Sequence, residues 1–125
     1  MPNGSENALL GAWGESVAGA YLREHRYKLV GVNFRCRGGE LDIIAEKGRY
    51  IAFVEVKLRR DAAFAEAREF VTKTKQQRVI TAAEMWLLKH PTRLQPRFDV
   101  IEIYAPEGYR TEKPTINHIK DAFEL

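Results

Sequence analysis

In the run YIAFVEVKL, which is otherwise almost wholly apolar, Glu55 and Lys57 stand two residues apart. A strand sends such a pair out of the same face, roughly 6.5 Å apart along its axis. Charges in apolar surroundings are unfavourable unless they are paired or hold a cation. Asp42 poses the same problem between Leu41 and Ile43, just after Gly38 and Gly39. Adjacent antiparallel strands would bring it beside Glu55. Two neighbouring carboxylates suit a hard divalent cation such as Mg²⁺ or Mn²⁺, with waters and phosphate oxygens completing its shell. Lys57 would then orient or deprotonate an attacking water and offset the charge that builds on a phosphorane. The chemistry so described is phosphodiester hydrolysis. A plainer reading pairs Glu55 with Lys57 on a solvated sheet face and leaves Asp42 in a turn, and the D…ExK spacing taken alone is a weak motif.

The elements that must position these residues can be read from hydrophobic periodicity. From Leu9 to about His25, apolar residues at Leu10, Trp13, Val17, Ala20 and Tyr21 trace one helical face. KLVGVNFR (28–35), ELDIIAE (40–46) and YIAFVEVKL (50–58), separated by Gly38-Gly39 and Lys47-Gly48, predict a three-stranded meander. The third is apolar on both faces, as a doubly covered strand must be. Residues 59–70 are charged and irregular. Thr74 and Gln77 are spaced as a capping box for a second helix that carries Val79, Ile80, Ala83, Trp86 and Leu87 and stops before Pro91. RFDVIEIY (97–104) predicts a fourth strand, and a turn-rich loop then leads to a last short stretch, 115–120. The order αβββαβ predicts an α/β fold with a mixed sheet flanked by helices.

A chain of 125 residues with 45% hydrophobic and 30% charged residues is expected to form one domain, residues 1–125, and not a disordered segment. No window approaches the roughly 20 apolar residues of a membrane span. One cysteine, Cys36, excludes an internal disulfide and fits a reducing compartment, so the cytoplasm is the expected location. The net charge of +3 lies in the first part of the chain, where residues 1–60 hold ten Lys and Arg against seven Asp and Glu. Clusters at Arg35/Arg37, at Lys57/Arg59/Arg60 and from Arg68 to Arg78 can neutralise phosphates. Arg35, Arg37, Lys73 and Lys75 are the expected contacts to a nucleic-acid backbone.

GELDIIA followed by FVEVKLR, in this element order, resembles the PD-(D/E)xK superfamily of restriction endonuclease-like and Holliday-junction-resolvase-like nucleases. More narrowly the chain resembles the bacterial YraN-like family, through GAWGESVAGAYL, RCRGGELDIIA, FVEVKLR, KQQRV, RFDVIEI and HIKDAF. The resemblance implies a Mg²⁺- or Mn²⁺-dependent endonuclease core with Asp42 and Glu55 as metal ligands and Lys57 as the catalytic lysine. It adds Glu15 as a carboxylate from the first helix, and Lys75 with Gln76 as the basic segment of the second. Leu58 stands where relatives often carry Thr, and GESVA departs from the usual first-helix segment. Neither change touches the carboxylates or the lysine. The implied partner is nucleic acid, DNA more than RNA, with branched or flapped DNA as candidate substrates, and a homodimer is left open. The alternative is a binding module that keeps the nuclease fold without turnover.

Other residues carry less chemistry. His25, His90 and His118 are too scattered for a zinc site. Cys36 reads as a small structural side chain, and Trp13, Trp86, Phe98 and Tyr104 as core residues.

Overall fold

The computed structural model describes residues 4–60 and 72–124. The charged stretch at 61–71, with Arg68, lies outside the described residues.

An apolar strand with no polar face has to be covered on both sides. In β3 (Tyr50–Arg59), Ile51 and Phe53 enter one core while Ala52 and Val54 enter another. Helix α1 (Gly4–Glu24) covers the second of these, burying Ala18 and Leu22 with Trp13, Val17 and Tyr21 half-buried beside them. Helix α2 (Lys73–Lys89) covers the first with Val79, Ala82, Ala83 and Trp86. Both sets recur at the three-and-four spacing of one helical face.

Strands β1 (Lys28–Cys36), β2 (Gly39–Lys47) and β3 form the expected antiparallel meander. The chain then crosses over through α2, and β4 (Gln95–Tyr104) lies parallel to β3, a pairing that needs so long a connection. A short 3₁₀ turn (Gly108–Arg110) leads to β5 (Thr115–Phe123), antiparallel to β4. The result is an α/β fold, a five-stranded mixed sheet in the order β1-β2-β3-β4-β5 between two helices. It is consistent with a restriction endonuclease-like core.

Three boundaries differ from the sequence reading. β5 is a full strand where only a short stretch had been expected, because its polar residues are held by tertiary bonds and not by an apolar pattern. His118 Nε2 bonds Asp99 Oδ2 at 2.8 Å, the Asp121 amide donates to Asp99 Oδ1 at 3.1 Å, and Tyr21 Oη bonds His118 Nδ1 at 3.1 Å. Arg97 completes the cluster with two 2.8 Å bonds to Asp99 and one of 2.7 Å to Tyr27 Oη. α1 begins at Gly4, ahead of Leu9, since its first residues carry no apolar periodicity to read. The cap of α2 is Thr72 and not Thr74: Thr72 Oγ1 accepts from the Lys75 amide at 3.2 Å, which satisfies one of the free donors of the first turn. Lys75 therefore sits in that first turn.

The backbone of α2 presses on the start of β2. A Cβ at Gly39 would lie 2.5 Å from the Arg78 carbonyl oxygen and 2.7 Å from the Ala82 amide nitrogen. Gly39→Ala is expected to lower stability by about 1–3 kcal/mol, since neither neighbour is a flexible side-chain end. Gly11→Ala, on an open face of α1, should raise it by roughly 0.5–1 kcal/mol. Urea unfolding of the two variants beside the parent checks both, and equal midpoints for Gly39→Ala and the parent would contradict the packing of α2 on β2.

Candidate active site

Alternation along β2 fails at one residue. Gly39 and Leu41 lie on the α2 side, whereas Ile43 and Ala45, in step with them by period two, pack on the α1 side. The β2–β3 ladder runs from Lys47–Tyr50 to Ile43–Val54 and stops there. Opposite on β1, Asn33 adopts φ 48°, a left-handed conformation that Asn tolerates better than most residues. Asp42 occupies this break. Its Oδ2 accepts from the Val56 amide at 2.8 Å, so a side chain stands in for the missing strand carbonyl. The Asp42 carboxylate is thereby fixed against β3 next to Glu55.

Glu55 is only 4% exposed and points to the α2 side, where Lys75 Nζ approaches its Oε1 to 3.2 Å. Burial, and then the neighbouring Asp42 charge, push the Glu55 carboxyl up to about 7. Burial also raises Asp42, against the opposing pull of the Val56 amide. Burial works against the charge of Lys75, but Glu55 above all outweighs it and holds the ammonium above its ordinary range. Two acids driven upward together are only partly compensated by the nearby lysines. Such a donor set fits a hard divalent cation, which needs only one or two carboxylates beside waters and substrate oxygens. No set of three or more His, Cys, Asp or Glu converges among the described residues, so a cage made wholly of such side chains has no counterpart there.

The expected residues fall into four groups. Asp42, Glu55 and half-buried Lys57 come together, with Lys57 on the same face of β3 as Glu55 and close enough to act on its charge. Glu15 approaches from α1. Burial raises its carboxyl, the Asn33 amide that donates to it at 2.9 Å opposes this, and the Asp42 charge raises it further. Arg35, Arg37 and Lys73 are exposed, while Gln76 is half-buried in the first turns of α2. Lys75, expected on a phosphate backbone, turns inward to Glu55.

Two participants were not anticipated from the sequence. Asn33 positions Glu15, and an Asn inside the apolar KLVGVNFR run, where strands disfavour it, was the signal available. Glu102, 6% exposed, lies beside Lys57 across the β3–β4 pair. Arg59, Tyr104 and Asn117 hold its carboxylate at 3.4, 3.2 and 2.9 Å. Lys57 has no ion-pair or hydrogen-bond partner among the described residues, so its ammonium stays available next to the acids.

The sequence profile of the uncharacterised protein family UPF0102 matches residues 14–103. The chain belongs to that family. It is 46% identical over 120 residues to a UPF0102 protein of Geobacter metallireducens, covering 95% of each chain, and 44% identical over 131 residues to one of Geobacter sulfurreducens, covering 100% of this chain and 98% of the other. A UPF0102 protein of Nocardia farcinica is 44% identical over 115 residues, which span 91% of this chain and 88% of its own. Glu15, Asp42, Glu55, Lys57 and Lys75 all fall inside the part matched by the UPF0102 profile, and β5 falls beyond it.

The electrostatics of this site contribute to the pH dependence of the fold. Folded Glu55 keeps its proton up to about pH 7, whereas a Glu in the unfolded chain releases it near 4.5. The folded state binds more protons between those values and loses stability as pH rises through them. In chelator, the parent is expected to lose on the order of 2 kcal/mol between pH 5 and pH 7.5, and Glu55→Gln most of that dependence. Urea midpoints across the range measure it; a parent whose stability rises over the window would contradict the strained pair.

Proposed function

We propose that this protein is a metal-dependent phosphodiester hydrolase acting on nucleic acid, DNA in preference to RNA. The observation that carries the reading is a carboxylate pair, buried Glu55 beside half-buried Asp42, with the uncommitted Lys57 on the same face of β3 as Glu55. Asp42 and Glu55 would hold a Mg²⁺ or Mn²⁺ ion. When bound, such an ion supplies Lewis-acid stabilisation of charge on the scissile phosphate.

The remaining chemistry belongs to the side chains. Glu55 and Asp42 are fixed by the strand and by the Val56 amide before substrate arrives, so little reorganisation accompanies binding. Lys57 directs its ammonium at the phosphate, where it orients the attacking water and offsets the charge that grows in the transition state. Glu15, held by Asn33, adds a third carboxylate at the rim of the site. Lys75 neutralises Glu55 until a cation takes over that task. Arg35, Arg37 and Lys73 bind backbone phosphates, with Gln76 beside them at the head of α2, and they make affinity depend on salt.

The second reading, a nucleic-acid binder without turnover, draws on the Lys75–Glu55 ion pair, which compensates one carboxylate with no metal. Incubating linear, flapped and four-way-junction DNAs with the protein and Mg²⁺ or Mn²⁺ separates the two readings, since only the first gives cleavage. Lys57→Met is expected to lower the rate by about 10²–10³ with unchanged circular dichroism; an equally fast variant would remove Lys57 from the mechanism.

Melting curves test the cation site separately. Millimolar Mg²⁺ or Mn²⁺ should stabilise the parent, by about 2.7 kcal/mol at a hundredfold excess over Kd. Asp42→Asn should lose most of that gain, while in chelator it melts at or above the parent because the amide oxygen can still accept from Val56. A parent indifferent to metal, with an Asp42→Asn variant well below it in chelator, would return Asp42 to a structural role.

A further inference from the structure

At the far end of the sheet from Glu55, where α1 leads into β1 and β2 turns into β3, lies an open cleft of about 300 Å³. Four cationic residues line it, Lys47, Arg49, Arg97 and Lys120, together with the rings of Tyr27 and Tyr50, and no carboxylate does. It is a separate place from the candidate active site. Tyr50 precedes Glu55 by five residues, roughly 16 Å along β3, and Arg97 stands on the α1 side of the sheet because it pairs with Ala52.

The cations are of two kinds. Arg97 is rigid: its Nε and Nη2 are tied to Asp99 and Tyr27 Oη, and its guanidinium lies 5.0 Å from the Tyr50 ring centroid. Its Nη1 donates to nothing among the described residues, and no buried side-chain nitrogen or oxygen there lacks a partner. That edge of the guanidinium is therefore open to solvent in the cleft. Lys47, Arg49 and Lys120 are exposed and have no ion-pair partner among the described residues, Lys47 resting only on the Tyr27 ring at 5.2 Å. Asp99 already balances Arg97, so the uncompensated charge of the cleft is that of the other three residues.

We infer that this cleft is a binding site for a phosphate monoester, with the fixed Arg97 edge and the exposed ends of Lys47, Arg49 and Lys120 gripping the phosphate and Tyr50 flanking the group that carries it. A monoester suits the charge better than a diester. It brings about −1.5 to −2 at neutral pH and three strong acceptor oxygens, whereas a diester brings a single charge. Guanidinium edges and ammonium groups converge on such oxygens in charge-assisted hydrogen bonds. The phosphate comes from a free nucleotide or from the 5′ end of a nucleic-acid strand, which share this chemistry. The inference stands apart from the proposed hydrolysis, because neither Asp42 nor Glu55 takes part.

Calorimetric titration of the full chain in chelator tests it without involving a metal. The probes are AMP, adenosine, inorganic phosphate, and one short oligonucleotide with either a 5′-phosphate or a 5′-hydroxyl. AMP and phosphate should bind and adenosine should not. Arg49→Ala with Lys120→Ala should weaken AMP by roughly tenfold or more, whereas Arg93→Ala, which removes an exposed charge outside the cleft, should change it by less than about twofold. Both substituted side chains lack hydrogen-bond and ion-pair partners among the described residues, so the variant is expected to fold, and its melting curve checks this. Tighter binding of AMP than of the 5′-phosphorylated strand identifies the ligand as a free nucleotide, and the reverse order identifies a strand end. Adenosine binding as well as AMP, AMP binding unchanged in the double variant, or no binding by any phosphorylated probe would each overturn the inference.

Discussion

The arrangement of this protein depends on one interrupted ladder. Between β2 and β3 the backbone pairing ends at Ile43 and Val54, and the next inward-facing amide, that of Val56, is satisfied by the carboxylate of Asp42. A buried amide left without an acceptor would be unfavourable by about 1–3 kcal/mol, so the side-chain bond stabilises the break. Two consequences follow from the geometry. The strand alternation shifts by one residue, so that Leu41 completes the core under α2 while Ile43 completes the one under α1. The Asp42 carboxylate is also immobilised next to Glu55. A residue that satisfies the backbone is thus at the same time half of the acidic pair.

Burial alone does not decide what an acid does, as Asp99 and Glu55 illustrate. Both are nearly inaccessible to solvent. Burial pushes Asp99 upward, but bonds from His118, Arg97 and the Asp121 amide overcome it and hold the carboxyl below its ordinary range. Asp99 is a satisfied structural charge that fastens β5 to β4 and, through His118 and Tyr21, to α1. Glu55 is driven upward by burial and by the neighbouring Asp42, which Lys75 and the more distant Lys57 do not overcome. Acids under that kind of strain are common where a protein binds a cation or moves a proton.

Helix α2 links packing to this electrostatics. Its backbone lies directly on Gly39, and Trp86 packs edge-on against Phe34 at 5.3 Å between ring centroids. These contacts leave the helix little freedom to slide. Its first turn, capped by Thr72, is therefore held where Lys75 meets Glu55.

The residues that could do chemistry were visible in the sequence because charges are rare in apolar strands, and the period of two placed Glu55 and Lys57 on one face without further information. The meander, the crossover helix and the two-sided burial of β3 were legible for the same reason, namely that hydrophobic spacing reports which surfaces must be covered. β5 was not, since INHIKDAF has no apolar alternation and is fastened through His118 and Asp121 to a carboxylate on another strand. Nor could spacing show that Asp42 bonds the Val56 amide, that Lys75 turns inward, or that Asn33 holds Glu15. Each joins residues distant in the chain through single directional bonds. The sequence by itself determined which groups could not remain unpaired in the interior; only the tertiary structure decided their partners, because hydrogen bonds and ion pairs depend on ångström-scale geometry that no local periodicity encodes.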